Sequence, residues 1–323
     1  MSEPAPPLSQ APSIAVDKWI GVVAGIVAPT TVITGLCYYF GAASQRAFFA
    51  YFSLNADALG FPTAYYVLNS VEVLYPALVI LFAVACGAYW ILTYGRRVLH
   101  RNRRSRLARR TGWTVIAAGA VLTALAVWAV LGLDYAVPSG AMVPVALGLG
   151  AVLIAAGTEV LVALRTEGSP RFATSAELFT LLFSGATLVL ALFWLTNIYA
   201  TSYGVDRAEH AAQDLWAKKS VVVLETVDPV VIPPNLVKKT EHDPQPGQRF
   251  RYRYECLRAL AVTDDLWVLV PARWTIENGY ALIVPIDEFS RINVARRAGL
   301  VGTPAADWNA ENKKWQCPEV AHR

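Results

Sequence analysis

One acidic residue in an otherwise apolar stretch is the first candidate for chemistry in this chain of 323 residues. Glu159 lies in a segment that is long and apolar enough to span a membrane, where an ionisable side chain is by default a candidate for an ion or proton pathway. It comes only six residues before Arg165, which is about 9 Å along a helix. That distance brings the carboxylate close to the membrane interface, so a structural role is favoured over a permeation pathway.

A second candidate set consists of three polar residues in the segment 41–74, namely Arg46, Asp57 and Glu72. The segment is too polar to span a membrane and too aromatic to float in water. It is therefore predicted to lie in the interface with these polar groups facing water, and Gly60 and Pro62 indicate a break between two short helices. An enzyme acting on lipid or wall precursors would need the three groups to converge. A cap that packs the helix bundle is favoured over a lid or ligand platform.

Three arginines, Arg249, Arg251 and Arg253, alternate with aromatic residues before Cys256. Alternation with period two predicts a strand whose aromatic face lies in a core, while the arginines and Glu255 share a wet face. Such a face could bind envelope polyanions or lipid headgroups. A solvated face balanced by Glu255 and by acids on neighbouring strands is the favoured interpretation.

The four cysteines divide by location. Cys37 and Cys86 lie in apolar segments and are expected to behave as small apolar residues, whereas Cys256 and Cys317 lie in the C-terminal part and are predicted to form a disulfide in an oxidising compartment. The four histidines have no metal-ligand spacing. No Ser–His–acid set, glycine-rich phosphate loop or pair of carboxylates on one helix is evident. The sequence predicts no catalytic residue, no metal site, no cofactor and no enzyme.

The overall composition places the chain in the membrane class. Hydrophobic residues make up 55% and charged residues 16%, with a mean hydropathy of +0.40, whereas about a quarter of the residues in a soluble protein are charged. A spanning helix needs roughly 20 mainly apolar residues. Five segments qualify: 19–40, 75–94, 113–133, 142–164 and 178–200. A cleaved signal peptide at 19–40 is the less favoured alternative, because its apolar run exceeds the usual length.

The basic residues of the short loops predict the orientation of these spans. Eight arginines lie in the loop 95–110, and Lys18, Arg165 and Arg171 bring the predicted inner segments to eleven basic residues, against Arg46 alone outside. The loop is therefore cytoplasmic by the positive-inside rule, where it would also contact anionic lipid headgroups. Aromatic residues do not alternate with the arginines of this loop, so nucleic-acid binding is not favoured. The tail 1–18 is predicted to be cytoplasmic and disordered, and the C-terminus extracytoplasmic.

The residues after the last span are predicted to form a helical stalk, 201–219, and a β-rich domain, 220–323. Strands are expected at 221–226, 248–262, 266–271, 280–285 and 290–294, with turns at 264–265 and 278–279. Small residues recur at four-residue spacing into the stalk, which indicates close helix packing or self-association as a homo-oligomer. These small residues are Ala200, Gly204, Ala208 and Ala212.

Several short sequence motifs in the chain resemble those of multi-pass membrane proteins of actinobacteria. They are Leu-Gly-Phe at 59–61, Asn-Ser at 69–70, Tyr-Ala at 199–200, Val-Val-Leu at 222–224, Tyr-Glu-Cys-Leu-Arg at 254–258 and Leu-Val-Pro at 269–271. The resemblance implies an actinobacterial origin and the same architecture, with an exported C-terminal β-rich domain. It implies no activity and no site residues.

These patterns predict a membrane all-α bundle of five transmembrane helices plus a small extracytoplasmic β-rich (α+β) domain. The expected function is that of a non-catalytic protein of the plasma membrane, acting as sensor, scaffold or assembly partner through an outer domain that binds a protein or an envelope polymer. A channel or transporter subunit, with Glu159 and the segment 41–74 on its route, is the alternative. A membrane-surface enzyme is third.

Overall fold

The computed structural model describes residues 13–101, 106–132, 140–164, 175–233, 236–242, 249–277 and 279–295. Within these residues a bundle of α-helices is followed by one antiparallel β-sheet. The helices are α1 (Ser13–Tyr51), α2 (Thr63–Arg101), α3 (Arg106–Leu131), α4 (Met142–Ala163) and α5 (Ser175–Lys218). The strands are β1 (Val221–Thr226), β2 (Lys238–Glu241), β3 (Tyr252–Val262), β4 (Leu266–Pro271), β5 (Leu282–Pro285) and β6 (Ser290–Ala295).

Four of the helices, α2 to α5, contain stretches that are long and apolar enough to cross a membrane. Their outward surfaces are apolar as well, since Phe82 is 72% and Trp128 76% exposed, a pattern typical of helices that face lipid. The predicted span 19–40 falls within α1, but side chains before Thr30 lie outside the described part of the chain. The loop 95–110 is largely taken up by the end of α2 and the start of α3.

The main contacts between helices join α2 to α1, α1 to α5, α5 to α4 and α4 to α3. Helices α3 and α4 approach each other closely through glycines seven residues apart on each helix. A Cβ atom on Gly150 would lie 2.9 Å from the carbonyl oxygen of Gly119, and one on Gly157 would lie 2.9 Å from that of Gly112. The two backbones are therefore in direct contact, which only glycine permits. This repeat is not among the small-residue stripes that the sequence analysis identified.

The segment 41–74 differs from the interfacial pair of short helices that the sequence predicts. Helix α1 continues without a break to Tyr51, and α2 begins at Thr63. The connection between them contains a short 3₁₀-helix, Ala56–Leu59, followed by Gly60 in the left-handed conformation with φ of 69°. With α5, which runs unbroken to Lys218, residues 41–51 and 63–74 form a three-helix stem. We call the connection 52–62 the tip of this stem.

Close helix packing holds the stem together, since a Cβ atom on Gly204 of α5 would collide with the carbonyl oxygen of Ser44 on α1. On the other side of α1, a Cβ atom on Gly41 would collide with the carbonyl oxygen of Tyr66 on α2. The predicted small-residue stripe of α5 thus packs within one chain. Residues 201–219, predicted as a stalk, are one wall of this stem rather than an isolated rod.

The sheet has the strand order β5-β4-β3-β1-β6, with β2 also paired to β3. The predictions at 221–226 and 266–271 are confirmed residue for residue by β1 and β4, and β3, β5 and β6 overlap theirs. Strand β2 is missed because its sequence, Lys-Lys-Thr-Glu, carries no apolar alternation. The connection between β4 and β5 spans residues 272–281, within which Asn278 lies outside the described residues.

A β-bulge in β3 changes the face on which its residues lie. The register against β1 shifts between Tyr254 and Leu257, and Cys256 has a φ of 70°, the left-handed conformation that one residue adopts in the G1 type of bulge. Just before the bulge, β3 lies between β1 and β2. The prediction that Glu255 faces water is wrong there, because Glu255 is only 7% exposed and accepts a hydrogen bond from Arg253. The prediction of a buried aromatic face holds at Tyr254, which is fully buried. Beyond the bulge, Arg258 is also buried, at 1% exposure.

Candidate functional site

One hydrophobic core joins the tip, α5 and one face of the sheet. The tip and the end of α1 contribute Phe48, Phe49, Phe52, Ala56 and Leu59; α5 contributes Ala208, Ala212 and Leu215. The sheet contributes Leu260, Val268 and Val270, and the connection after β4 contributes Trp274. All of these side chains are buried. Because parts of the chain about 200 residues apart complete one core, the sheet is fixed to the stem rather than tethered to it.

Trp274 is the central aromatic residue of this junction. Its ring centroid lies 4.7 Å from that of Phe52 and 5.2 Å from that of Tyr51, within the range of favourable aromatic pairs. Burial, and secondarily the nearby carboxylate of Glu209, raise the pKa of Tyr51 above its ordinary value. Both effects favour the neutral phenol, whose ring packs beside Trp274.

Arg258 adds a polar bond to the same junction. Its Nε donates to the carbonyl oxygen of Leu215 at 3.2 Å, and its Nη1 donates to the carbonyl oxygen of Leu257 at 3.1 Å. The last carbonyl groups of a helix lack partners inside the helix and carry partial negative charge. A buried guanidinium at this end of α5 thus satisfies the helix terminus and holds it against β3.

The three polar residues predicted in the segment 41–74 do not form one cluster. Arg46 pairs with Asp57 at 3.1 Å, and both side chains are about half exposed. Glu72 is engaged elsewhere: its Oε2 accepts hydrogen bonds from Arg207 Nη1 at 3.1 Å and from the hydroxyl of Tyr203 at 3.0 Å. An arrangement of Arg46, Asp57 and Glu72 around one reacting group is therefore not present in the structure.

Arg207 is a stem residue that the sequence analysis missed. Besides Glu72 it approaches Asn69 Oδ1 at 3.4 Å, and its guanidinium lies over the ring of Phe48, 5.0 Å from the centroid. It therefore connects α5 to both other helices of the stem. The sequence did hold one signal for this role, because Arg207 comes about one turn after Gly204 in the small-residue stripe. Residues beside a stripe of close helix contact lie next to the neighbouring helices.

Each arginine of the candidate anion-binding face contacts a carboxylate. Arg249 pairs with Glu288 at 3.2 Å and Arg251 with Glu241 at 3.4 Å. Arg253 donates to Glu255 at 2.9 Å and lies 3.9 Å from Glu225. Acids on the same and neighbouring segments thus offset the positive charge along this face.

The remaining candidates lie apart from the junction. Glu159 is half-buried on α4, beside Thr158, whose hydroxyl donates to the carbonyl oxygen of Ile154. Cys256 is buried on β3, and its predicted disulfide partner Cys317 lies outside the described residues, so the disulfide stays a prediction. Among the described residues, no group of three or more His, Cys, Asp or Glu side chains could hold a metal ion.

The second face of the sheet leads to an open groove. This face packs over its own core, which includes Leu224, Tyr254, Leu257 and Leu269. Beside this core, β1, the loop after it, β5 and the segment 287–290 enclose a groove of about 230 Å³. Near the groove, the hydroxyl of Tyr280 donates to the carbonyl oxygen of Val231 at 2.9 Å. The residues that line the groove are Leu224, Thr226, Asp228, Val230, Leu282, Ile283, Val284, Pro285, Asp287, Phe289 and Ser290.

The part of the chain that the structure describes therefore defines a helical bundle with long apolar helices and a sheet fixed to one end of it, with an apolar groove on the sheet. No protein-family model, no curated protein and no solved structure matches the chain.

Proposed function

We propose that this chain is a non-catalytic, multi-pass protein of the plasma membrane that acts as a sensor, scaffold or assembly partner. Five helices span the membrane with the N-terminus in the cytoplasm, and the sheet stands on the extracytoplasmic side. There the sheet binds another protein or an envelope component. The exposed apolar surfaces of α2 to α5 and the arginine-rich loop 95–110 support this placement.

The different occupation of the two sheet faces is the observation that carries the proposal. One face is buried against the tip and α5, while the other leads to an open groove lined mainly by apolar side chains. Open apolar concavities on an otherwise polar surface mark binding sites. A sheet held rigidly by one face and open on the other suits a module that presents a binding site at a fixed place above the membrane.

The polar residues of the stem support a structural role for the bundle end. Two ion pairs form here, Arg46 with Asp57 and Arg207 with Glu72. The charges of these four side chains are therefore neutralised by contacts within the protein. An enzyme needs groups that are poised for a substrate.

Photo-crosslinking in the native membrane tests the proposal. A photoreactive amino acid replaces Phe289, which is half-exposed at the groove, and a matched variant carries it at Lys239, an exposed position on β2 outside the groove lining. We expect a distinct protein or envelope polymer to be captured from position 289 and not from 239. Adducts between copies of this chain through the spans, with nothing captured at 289, would contradict the proposal and favour a pore.

A further inference from the structure

The edge of β5 that points away from β4 borders the groove and is unpaired among the described residues. We call it the free edge. Within the described residues, β5 pairs only with β4. The amide of Ile286 donates to the carbonyl oxygen of Asp265 at 2.8 Å, in line with the register Leu266↔Pro285 and Trp267↔Val284. Because hydrogen-bonded pairs alternate along an antiparallel ladder, Leu282 and Val284 bond to β4. The N–H and C=O of Ile283 therefore point away from β4, toward the free edge.

The walls of the groove provide places for apolar side chains beside that edge. Leu224 and Val230 lie across from β5, and Phe289 forms a half-exposed aromatic wall. A strand added to a sheet lies about 4.8 Å from its neighbour and points alternate side chains to opposite faces. One set of these side chains would enter the groove while the backbone pairs with Ile283.

The charge around the groove selects the chemistry of the occupant. Residues 224–230 and 282–290 contain four acids and no Lys or Arg. Two of them, Glu225 and Glu288, pair with Arg253 and Arg249, whereas Asp228 and Asp287 line the groove itself. The guanidinium of Arg249 lies over the ring of Phe289, 5.6 Å from its centroid, but its charge is offset by Glu288. The two acids of the lining, Asp228 and Asp287, therefore attract basic side chains and disfavour anionic lipids and acidic polymers.

We propose that the groove receives an extended peptide segment of a partner protein, which adds a strand to the edge of β5 and carries a basic residue toward Asp228 and Asp287. Backbone hydrogen bonds supply affinity in this mode, and side-chain pockets supply specificity. Pro285, which lacks an N–H, ends the edge and limits the added strand to a few residues. The inference rests on the proposed function, because it names the class of partner that the sheet would bind.

A displayed library of random heptapeptides, selected on the full-length protein in lipid nanodiscs, tests the proposal. Peptides are counter-selected on Ile283→Pro, which removes the outward N–H but not a bond to β4. Ile283→Val, which keeps the N–H, is the matched control, and thermal melting checks that both variants fold. We expect enriched sequences with alternating apolar residues and a Lys or Arg. Binding of a synthetic enriched peptide should weaken about tenfold or more in Ile283→Pro, which corresponds to about 1.4 kcal/mol, and stay unchanged in Ile283→Val.

Asp228→Asn tests the charge of the groove separately. It should weaken the basic peptide severalfold, and the difference from the natural chain should shrink as salt rises. Equal enrichment on the natural chain and on Ile283→Pro, or a preference for acidic peptides or for vesicles of anionic lipid, would overturn the strand-addition proposal. Capture of a partner at position 289 in that case would leave the proposed function standing, so the two failures are distinguishable.

Discussion

The Nε atom of Arg258 on β3 lies 3.2 Å from the carbonyl oxygen of Leu215 near the end of α5. A buried, charge-assisted hydrogen bond therefore connects the sheet to the helix that leads into it. The bond exists because the bulge at Cys256 turns Arg258 toward the stem. Around it lies the apolar junction between the tip, α5 and the sheet.

Replacement of Arg258 by Met should release the sheet from α5. The change removes two hydrogen bonds and leaves buried carbonyl groups without their partner, so we expect a loss of about 3 kcal/mol in the free energy of unfolding of the sheet. Urea titration followed by brief proteolysis measures it. Arg251→Met is the control, because that half-exposed ion pair contributes less than about 1 kcal/mol. Equal losses in the two variants would contradict the role given to Arg258.

Two glycine substitutions should have opposite effects on the bundle. A Cβ atom at position 150 would lie 2.9 Å from the carbonyl oxygen of Gly119 and 3.1 Å from the amide nitrogen of Thr123, so Gly150→Ala must push α3 and α4 apart. Overpacking of this kind costs about 1–3 kcal/mol. At Gly185 nothing lies within 4 Å, and alanine is the better helix former by about 1 kcal/mol.

Thermal melting in one detergent compares these two variants. The midpoint should fall in Gly150→Ala and should stay equal or rise in Gly185→Ala. A fall of the same size in both would show that the contact between Gly150 and Gly119 does not limit the stability of the bundle.

The two ion pairs of the stem should couple with different strength. Arg207 has several partners and is only partly exposed, whereas Arg46 and Asp57 are both about half exposed. A double-mutant cycle on Glu72→Gln and Arg207→Gln should give about 1 kcal/mol of coupling, and one on Asp57→Asn and Arg46→Gln should give close to zero. Equal coupling energies in the two cycles would contradict the claim that Arg207 connects the helices of the stem.

The predicted disulfide is tested by mass mapping of the unreduced protein. We expect the peptide with Cys256 to be joined to the peptide with Cys317, while Cys37 and Cys86 are recovered as thiols after denaturation. The bond would close a loop of about 60 residues and stabilise the domain by about 4 kcal/mol. Recovery of all four cysteines as alkylated thiols would show that this prediction is wrong.

Local sequence patterns predicted most of the helices and strands. Apolar runs of bilayer length lie within α2 to α5, and apolar stretches between turn residues predicted β1 and β4 residue for residue. Both patterns depend on near neighbours in the chain, and so they can be read without knowledge of the tertiary structure. Helix extensions such as that of α1 to Tyr51 could not be predicted in this way, because contacts with α5 and the sheet stabilise them.

The candidate sites were less predictable because they depend on distant contacts. Arg207 and Glu72 are 135 residues apart, and no spacing rule joins them. The bulge at Cys256 adds one residue to β3 and reverses the faces of the residues that follow, up to a second irregularity between Ala259 and Ala261. Strict alternation would place Arg258 on the face of Tyr254, whereas its guanidinium bonds to Leu215 on the stem side. Glu255 precedes the bulge, and its burial was missed because it depends on the contact with Arg253 and on the pairing with β2.

The shared junction also sets an order of events during synthesis. The aromatic side chains Phe48, Phe49 and Phe52 are made early, yet the sheet residues that cover them, Leu260 to Trp274, follow more than 200 residues later. At about 5–20 residues per second, a ribosome needs tens of seconds to bridge that gap. Throughout this delay these aromatic side chains stay exposed on the growing chain. We therefore expect a chaperone or the insertion machinery to shield them. We also expect truncated chains to be degraded.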